Sequence, residues 1–268
     1  MGMIIESGLV PRSAAEPCAD RLIEGRYLVG VADGATRKSW DTGPDGATLA
    51  EAIAGHLAGI ARTCSAREAV DSATEVVEKL LAADGVAPGS GSAVSFCVLH
   101  TERQEVWRVG EARIMLDGEP VRPRRSGERI VAEARALVLR DRLAAGAAVA
   151  DLCAEDPGRA AVQELLKALT GLRNHRDDPA GFGALDGRLV PDRFVEVIPL
   201  PRGIREVVLT TDGYPAPAPT LAEAERLLAE RLARDPLMID PPETKGLRPA
   251  ANSFDDRAYV RLGRVTPA

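Results

Sequence analysis

The order of strands and helices restricts this chain more than any other feature of its sequence. Apolar or alternating runs predict strands at residues 3–6, 27–32, 93–99, 105–109, 112–116, 194–200, 206–211 and 257–262. Apolar residues at helical spacing predict helices at residues 46–62, 65–83, 128–145, 159–170 and 220–234. The strands come in runs joined by hairpin-length turns and separated by helix pairs, and they do not alternate one for one with helices. This order predicts an α+β fold of mainly antiparallel sheets covered by helices.

Composition narrows the class of protein further. The 268 residues are 45% hydrophobic and 28% charged, which is typical of a folded globular chain. A net charge of −6 and an aromatic content of 3% argue against a nucleic-acid partner, because such binding needs a basic surface and stacking side chains. No apolar run approaches the ~20 residues of a membrane-spanning helix, so we expect no membrane insertion.

Two further expectations follow from what the chain lacks. Its four cysteines are widely spaced, and no pair has the spacing of a zinc site: Cys18, Cys64, Cys97 and Cys153. Free thiols favour a cytoplasmic location. No Pro/Gly/Ser-rich linker divides the sequence, which predicts one domain over residues 1–268.

A run of three arginines could form a small anion patch, although such runs are usually solvated turns: Arg122, Arg124 and Arg125.

Three aspartates stand where predicted strands begin or end. Asp33 and Asp212 each follow an apolar strand and precede a glycine, and Asp255 comes just before the last strand. If the strands at 206–211 and 257–262 are antiparallel neighbours, Asp212 and Asp255 lie at the same sheet edge. Clustered carboxylates repel one another unless a cation lies between them, and oxygen ligands suit Mg²⁺ or Mn²⁺. Taken singly, each Asp-Gly pair is more often a plain turn, so the metal hypothesis depends on the coincidence of three sites.

Several short motifs that contain aspartate or glycine occur one after another along the chain. They are Cys18-Ala19-Asp20, Val31-Ala32-Asp33-Gly34, Gly91-Ser92-Ala93, Val109-Gly110-Glu111-Ala112-Arg113, Thr211-Asp212-Gly213-Tyr214 and Asp255-Asp256. In type and order they are similar to the motifs of the metal-dependent type 2C protein phosphatases, especially compact bacterial members. The resemblance extends over residues 16–263.

The resemblance implies an α-β-β-α sandwich of two mainly antiparallel sheets flanked by helix pairs, with two Mn²⁺ or Mg²⁺ ions at one end. It implies that Asp33 bridges both ions and that the Gly34 carbonyl completes one coordination shell. Asp212 and Asp255 would bind the other ion, and Asp20 is retained from an acidic pair that precedes the first motif strand. Asp33 and Asp212 are therefore the expected catalytic residues. The implied reaction is hydrolysis of phosphoserine or phosphothreonine in protein substrates by a metal-activated water, with no covalent enzyme intermediate.

The chain also departs from the family's pattern. Ala35 stands where some members have a histidine that acts as a general acid, and Ala19 stands where a metal-binding glutamate is usual. Glu111 stands where the family has an aspartate, and Ala216 stands where the family has another acidic residue. In the family, both positions are linked to a third metal ion. The arginine expected before the acidic pair has Arg12 as its nearest candidate.

These departures leave a second hypothesis open. The chain could be a regulatory or protein-interaction module that keeps the fold but has weakened catalysis. The alanines at positions 19 and 35 favour the module, whereas the four retained aspartates favour the enzyme. The sequence predicts neither a substrate identity nor an oligomeric state.

Overall fold

The computed structural model describes residues 3–122 and 127–263, which form strands and α-helices in the following order. The strands are β1 (Met3–Val10), β2 (Arg21–Glu24), β3 (Leu28–Gly34), β4 (Val94–His100), β5 (Glu105–Val109), β6 (Arg113–Leu116), β7 (Glu119–Val121), β8 (Glu196–Pro199), β9 (Glu206–Thr210) and β10 (Arg257–Gly263). The helices are α1 (Gly46–Ala58), α2 (Ala66–Ala83), α3 (Glu128–Ala144), α4 (Val149–Ala154), α5 (Pro157–Ala161), α6 (Gln163–Leu172) and α7 (Leu221–Arg234). Arg124 and Arg125 of the predicted arginine turn lie outside the described residues.

The strands form two five-stranded sheets. The first sheet has the order β1-β10-β9-β6-β7, and the second has the order β2-β3-β4-β5-β8. Neighbouring strands within both sheets pair antiparallel. The predicted α+β class with mainly antiparallel sheets is therefore confirmed.

Apolar layers explain why the two sheets stack. Side chains from both sheets meet in one buried cluster, which includes Val31, Leu99, Leu209 and Val260. Helices α1 and α2 pack on the outer face of the second sheet, and α7 packs on the outer face of the first. The layers thus run helix, sheet, sheet, helix, as the α-β-β-α prediction requires. Each sheet is buried on both faces, which explains the continuous apolar character of β3, β4 and β10.

Helix α2 shows how closely local sequence specifies an element. The Ser65 side chain accepts a hydrogen bond from the backbone N–H of Glu68, and the Glu68 carboxylate accepts one in return from the Ser65 N–H. This reciprocal cap satisfies two backbone donors that the first helical turn leaves free. The predicted start at Ser65 and end near Ala83 are confirmed.

Strands β9 and β10 bring the two late aspartates to one edge. They pair antiparallel with Tyr259 opposite Thr210, and beyond the strand end the Thr211 N–H donates to the Ala258 carbonyl at 3.1 Å. Asp212 leaves β9 at the same edge where Asp255 approaches β10. The predicted neighbour relation of these two strands is confirmed.

The predicted meander of residues 93–116 is wrong at its second turn. Strands β4 and β5 form the expected hairpin, but β6 pairs with β7 and β9 in the other sheet. Gly110, at φ +91°, redirects the chain from one sheet to the other, in a conformation that L side chains rarely adopt. A two-residue connection therefore does not always close a hairpin.

Other element boundaries also needed correction. Strand β2 was not predicted, because Ile23 is the one fully buried residue of its four. Strand β1 extends four residues beyond the predicted end at residue 6 and pairs along its length with β10. The predicted helix at 159–170 begins earlier, because Asp156 caps it with Pro157 in its first turn, and it is interrupted at Val162, which separates α5 from α6.

Candidate functional site

A cavity of about 130 Å³ opens where the strand ends of both sheets meet. Asp33 at the end of β3, Asp212 after β9 and Asp255 before β10 all line it. All three side chains are partly exposed, so they are accessible to a ligand. The structure thus brings together the three aspartates on which the metal prediction depended.

Two glycines allow the backbone segments that carry these aspartates to approach closely. A Cβ on Gly34 would lie 2.3 Å from the Gly46 carbonyl oxygen and 2.6 Å from that of Ala19. A Cβ on Gly213 would lie 1.9 Å from the Asp256 carbonyl oxygen. Real Cβ atoms do not approach a carbonyl this closely, so each Asp-Gly pair is required by tertiary packing as well as by its turn. Gly34 itself is buried, and its role as a carbonyl ligand stays a prediction.

Asp20 lies behind the cavity wall and is only 2% exposed. Its Oδ2 atom is buried and has no hydrogen-bond partner. Burial raises the pKa of Asp20 well above its usual value, and the negative charges of Asp255 and Asp212 raise it further. A buried carboxylate oxygen without a donor is the environment that a bound cation would satisfy.

The cavity aspartates repel one another in the same way. Burial, followed by the charge of Asp212, raises the pKa of Asp33 well above its usual value. Burial raises the pKa of Asp255 to about 6, against the opposing effect of Lys245. Without a ligand, these charges crowd in a partly desolvated space, so the arrangement favours a bound cation.

Lys245 supplies a cation from within the chain, which the sequence did not predict. Its Nζ lies 2.5 Å from Asp255 Oδ2 and donates to Thr36 Oγ1 at 2.9 Å. Burial lowers the pKa of Lys245, but the charges of Asp255 and Asp212 outweigh that effect and raise it overall. The ammonium group therefore remains charged and neutralises part of the aspartate cluster.

A second acidic group joins the site at Asp212. One oxygen from each of Glu111, Glu128 and Asp212 lies within 4.8 Å of the other two. In the described ranges, no other three His, Cys, Asp or Glu side chains approach one another this closely. Glu111 is the residue that replaces an aspartate of the motif, so the longer side chain still reaches Asp212. Glu128, in the first turn of α3, was missed, because an acidic residue at a helix start is ordinary capping chemistry.

Ala19 and Arg12 both lie near the N-terminal side of the site. The backbone carbonyl of Ala19 lies beside Gly34, so a side chain at position 19 would be near the site. The Arg12 guanidinium ion-pairs with Glu16 and donates to the Thr36 hydroxyl at 3.3 Å. The Arg12 backbone N–H donates to Asp256 at 2.8 Å. Arg12 thus lies close to the cavity, next to the threonine that also binds Lys245.

Another part of the cavity lining is basic. Lys38 from the loop after β3, Arg159 from α5 and Arg173 at the end of α6 line it together with the aspartates. None of these was predicted as a site residue, because each is an isolated cation in its local sequence. The cavity therefore has a carboxylate end and a cationic end.

The donor set fits a hard divalent cation. The strand-end groups offer carboxylate oxygens, which Mg²⁺ and Mn²⁺ prefer, and Asp20 contributes a buried oxygen without a partner. Ala19 contributes no oxygen, so this side of the site has one carboxylate fewer than the resemblance leads one to expect. Lys245 already satisfies part of Asp255. The arrangement has the ligand chemistry for a divalent cation, reduced by the missing carboxylate at position 19 and by the Lys245–Asp255 ion pair.

Comparison with known proteins locates this fold. The sequence matches no protein-family model and no curated protein. The serine/threonine phosphatase PstP/Ppp of Mycobacterium tuberculosis superimposes with a TM-score of 0.50 at 14% identity, covering 97% of this chain and 99% of that one. A bacterial serine phosphatase superimposes with a TM-score of 0.50 at 10% identity, covering 99% of each chain. At such identities the likeness demonstrates the fold, and the fold predicted from the motif order is confirmed.

Two further findings concern membrane spans and the cysteines. None of the helices in residues 3–122 and 127–263 is long and apolar enough to cross a membrane. All four cysteines lie within those ranges as free thiols; Cys97 is buried, whereas Cys18, Cys64 and Cys153 are partly exposed.

Proposed function

We propose that this chain is a Mn²⁺- or Mg²⁺-dependent phosphatase that hydrolyses phosphoserine or phosphothreonine in proteins. The observation that carries the proposal is the clustering of Asp33, Asp212 and Asp255 where the strand ends of both sheets meet, beside Asp20, which has a buried oxygen without a partner. The fold shared with two solved serine or serine/threonine phosphatases supports it. Two ions are proposed, with Asp33 placed between them.

In this proposal the metal set is Asp20, Asp33, Gly34, Asp212 and Asp255, and Asp33 and Asp212 are the catalytic residues. Bound metal ions would activate a water for attack on phosphorus and neutralise phosphate charge. The carboxylates at the strand ends would hold the positive charge of these ions in place. Glu111 and Glu128 extend the carboxylate set around Asp212.

The chain's cations would orient the phosphorylated side chain. Lys245 and Arg12 converge on Thr36 at the edge of the carboxylate cluster, and both can donate hydrogen bonds to phosphoryl oxygens. Ala35 supplies no acid where some type 2C phosphatases have histidine. The leaving serine or threonine oxygen therefore needs its proton from water or from a cavity ammonium group.

We further propose that residues 1–268 act as one domain and that the protein works in the cytoplasm. The nearly full-length superposition on both solved phosphatases supports the first proposal. The four free thiols support the second.

A second candidate function is a regulatory or interaction module with weakened catalysis. The specific observation in its favour is the Lys245–Asp255 ion pair, which places an internal cation against a predicted metal ligand. Ala19 also favours the regulatory module, because the site has one carboxylate fewer. Four retained aspartates favour the enzyme as the primary proposal.

Hydrolysis of phosphoserine and phosphothreonine peptides, assayed with Mn²⁺, with Mg²⁺ and with excess chelator, tests the proposal. We expect turnover only with metal, and a loss of at least about a hundredfold in Asp212→Asn. Asp84→Asn, at an exposed position beyond α2, is the matched control and should retain wild-type turnover. Turnover that persists in excess chelator would contradict the proposal. Metal binding without turnover would favour the regulatory module.

A further inference from the structure

The cationic end of the cavity contains three side chains with incomplete charge compensation. Arg159 donates to the Thr244 carbonyl at 2.7 Å, and Arg173 donates to the Gly91 carbonyl at 2.9 Å. For Lys38, the hydrogen bond seen in the described structure is made by its backbone N–H to Asp41. Among the ion pairs described within residues 3–122 and 127–263, none includes the side chain of Lys38, Arg159 or Arg173. Neutral carbonyls satisfy their N–H donors but leave the positive charge unbalanced.

The surrounding charges show the same deficit. Glu128 is a negative neighbour common to all three cations, and Asp41 acts on Lys38 and Arg173. Asp186 is the strongest negative neighbour of Arg173, and Asp156 also acts on Arg159. These carboxylates do not outweigh desolvation. Burial, followed by the charge of Arg173, lowers the pKa of Lys38 to about 8. Burial also lowers the pKa values of Arg159 and Arg173. An anion bound among the three would favour their charged forms.

A second, larger cavity indicates how such an anion would arrive. Its volume is about 490 Å³, and it shares Lys38 and Arg159 with the first cavity. Arg37 and Arg248 add positive charge to its wall. Ser253 also lines it, and the Ser253 Oγ is buried with no hydrogen-bond partner. A peptide segment leaving the carboxylate end would therefore pass Lys38 and Arg159 as it enters a basic cavity.

We propose that Lys38, Arg159 and Arg173 form an anion subsite for a second acidic group of the substrate, next to the phosphate that is hydrolysed. The inference rests on the proposed function and names its substrate class: phosphoproteins in which a second phosphate or a carboxylate lies close to the target residue. Lys38 and Arg159 would contact the flanking group where the two cavities meet. Arg173, 4% exposed, would contribute its charge from within the wall.

Lys38 is the residue to vary. Arg159 and Arg173 each also donate a hydrogen bond to a backbone carbonyl, so substituting them could disturb folding. Three phosphoserine peptides differ only at the neighbouring position, which is alanine, aspartate or a second phosphoserine. The wild type should hydrolyse both acidic peptides about tenfold better in kcat/KM than the alanine peptide, mainly through KM, since a charge-assisted contact is worth about that factor. Lys38→Met should remove most of this preference, and Lys38→Arg should restore it.

Lys79→Met is the matched control, because Lys79 is an exposed lysine on α2 that pairs with Glu75. It should retain the full preference. The aspartate and second-phosphate arms identify which anion the subsite favours. A wild type without preference, or a preference that survives Lys38→Met, would overturn the inference and leave the proposed phosphatase intact.

Binding without metal separates the two proposals. Fluorescence anisotropy of the labelled doubly phosphorylated peptide, in excess chelator, should show binding that weakens about tenfold in Lys38→Met and is unchanged in Lys79→Met. Such binding without turnover under any metal condition would support the subsite and contradict the phosphatase. Equal binding by wild type and Lys38→Met would contradict the subsite, whatever the turnover.

Discussion

The two ends of the cavity are built in different ways. The carboxylate end comes from strand termini: Asp33 ends β3, Asp212 follows β9 and Asp255 precedes β10. The cationic end comes from a loop and from two short helices, α5 and α6. Sheet pairing fixes the first end through backbone hydrogen bonds, whereas the second depends on side-chain packing between distant segments. In the two proposals above, the carboxylate end carries the chemistry and the cationic end carries the substrate selectivity.

The rigidity of the two ends differs for the same reason. Close backbone contacts at Gly34 and Gly213 leave the carboxylate end no room to shift. The five-residue α5 depends for its position on Asp156, which caps it and accepts a hydrogen bond from buried Arg135 at 2.8 Å. Substitutions should therefore change chemistry at the first end and substrate preference at the second.

The largest effect should come from removing charge at the carboxylate end. Asp33→Asn should lower turnover by at least about a hundredfold, because Asn cannot supply the anionic oxygens proposed to lie between two ions. In chelator the same variant should unfold at a higher temperature than the wild type, because carboxylate repulsion is relieved. Steady-state kinetics and calorimetry measure the two effects. If Asp33 were only a turn residue, both quantities would stay near wild type, as they should in Asp84→Asn.

The internal cation gives the next largest effect. Lys245→Met should tighten Mn²⁺ binding about tenfold, because a competing ammonium group is removed from Asp255. Isothermal titration measures this without any need for activity. Lys245→Arg keeps the charge and should bind Mn²⁺ about as weakly as the wild type. Identical affinities in the wild type and Lys245→Met would show that the ion pair does not compete with metal.

Restoring a carboxylate at position 19 should have a smaller effect. Ala19→Glu should strengthen the weaker metal site by several-fold, because one more oxygen ligand becomes available beside Gly34. Titration should show one tight and one loose site in the wild type and two more similar sites in the variant. Two equally tight wild-type sites, unchanged in Ala19→Glu but abolished together in Asp20→Ala, would show that Asp20 already fills this role.

The smallest effect concerns pH. Asp20 has a raised pKa in the folded state, so the metal-free folded protein binds its proton more tightly than the unfolded chain does. Its contribution therefore favours folding at low pH and is lost as the pH rises from about 4 through the raised pKa. In chelator, Asp20→Asn should raise the unfolding temperature by a few degrees at pH 8 and by less at pH 5. An equal change at both pH values would contradict a raised pKa, and Asp84→Asn provides the baseline.

The sequence predicted the carboxylate end because its signals are local. An apolar strand followed by Asp-Gly marks both the end of the strand and the position of the carboxylate, so Asp33 and Asp212 could be placed without knowledge of packing. The antiparallel pairing of β9 and β10 then brought Asp255 to the same edge. Antiparallel sheets covered by helices could be predicted for a similar reason, from the strand and helix periodicities, whereas the α-β-β-α sandwich was implied by the family resemblance of the motifs.

Neither the cationic end nor Lys245 at the carboxylate end could be predicted, because these residues meet their neighbours only through tertiary packing. Lys245 follows a proline-rich loop and bonds to Thr36, 209 positions earlier in the chain. Arg159 lies in a helix whose predicted boundary was wrong. The crossing at Gly110 was missed because a short connection between apolar strands has the same appearance whether it closes a hairpin or changes sheets. Long-range contacts of this kind leave no periodic signal.

The pairing of β1 with β10 has a consequence for how the protein can be joined to other polypeptides. Met3 lies opposite Gly263, while Val10 lies opposite Arg257 at the end of the ladder that leads to Asp255. Residues 3 and 263 are thus neighbours about 20 Å from the cavity, a strand's length away. A circular permutant that links these two positions and opens at the exposed turn 201–203 should leave the aspartate cluster undisturbed. A fused reporter or scaffold at either position would project from the far edge of the sandwich and leave the cavity mouth uncovered.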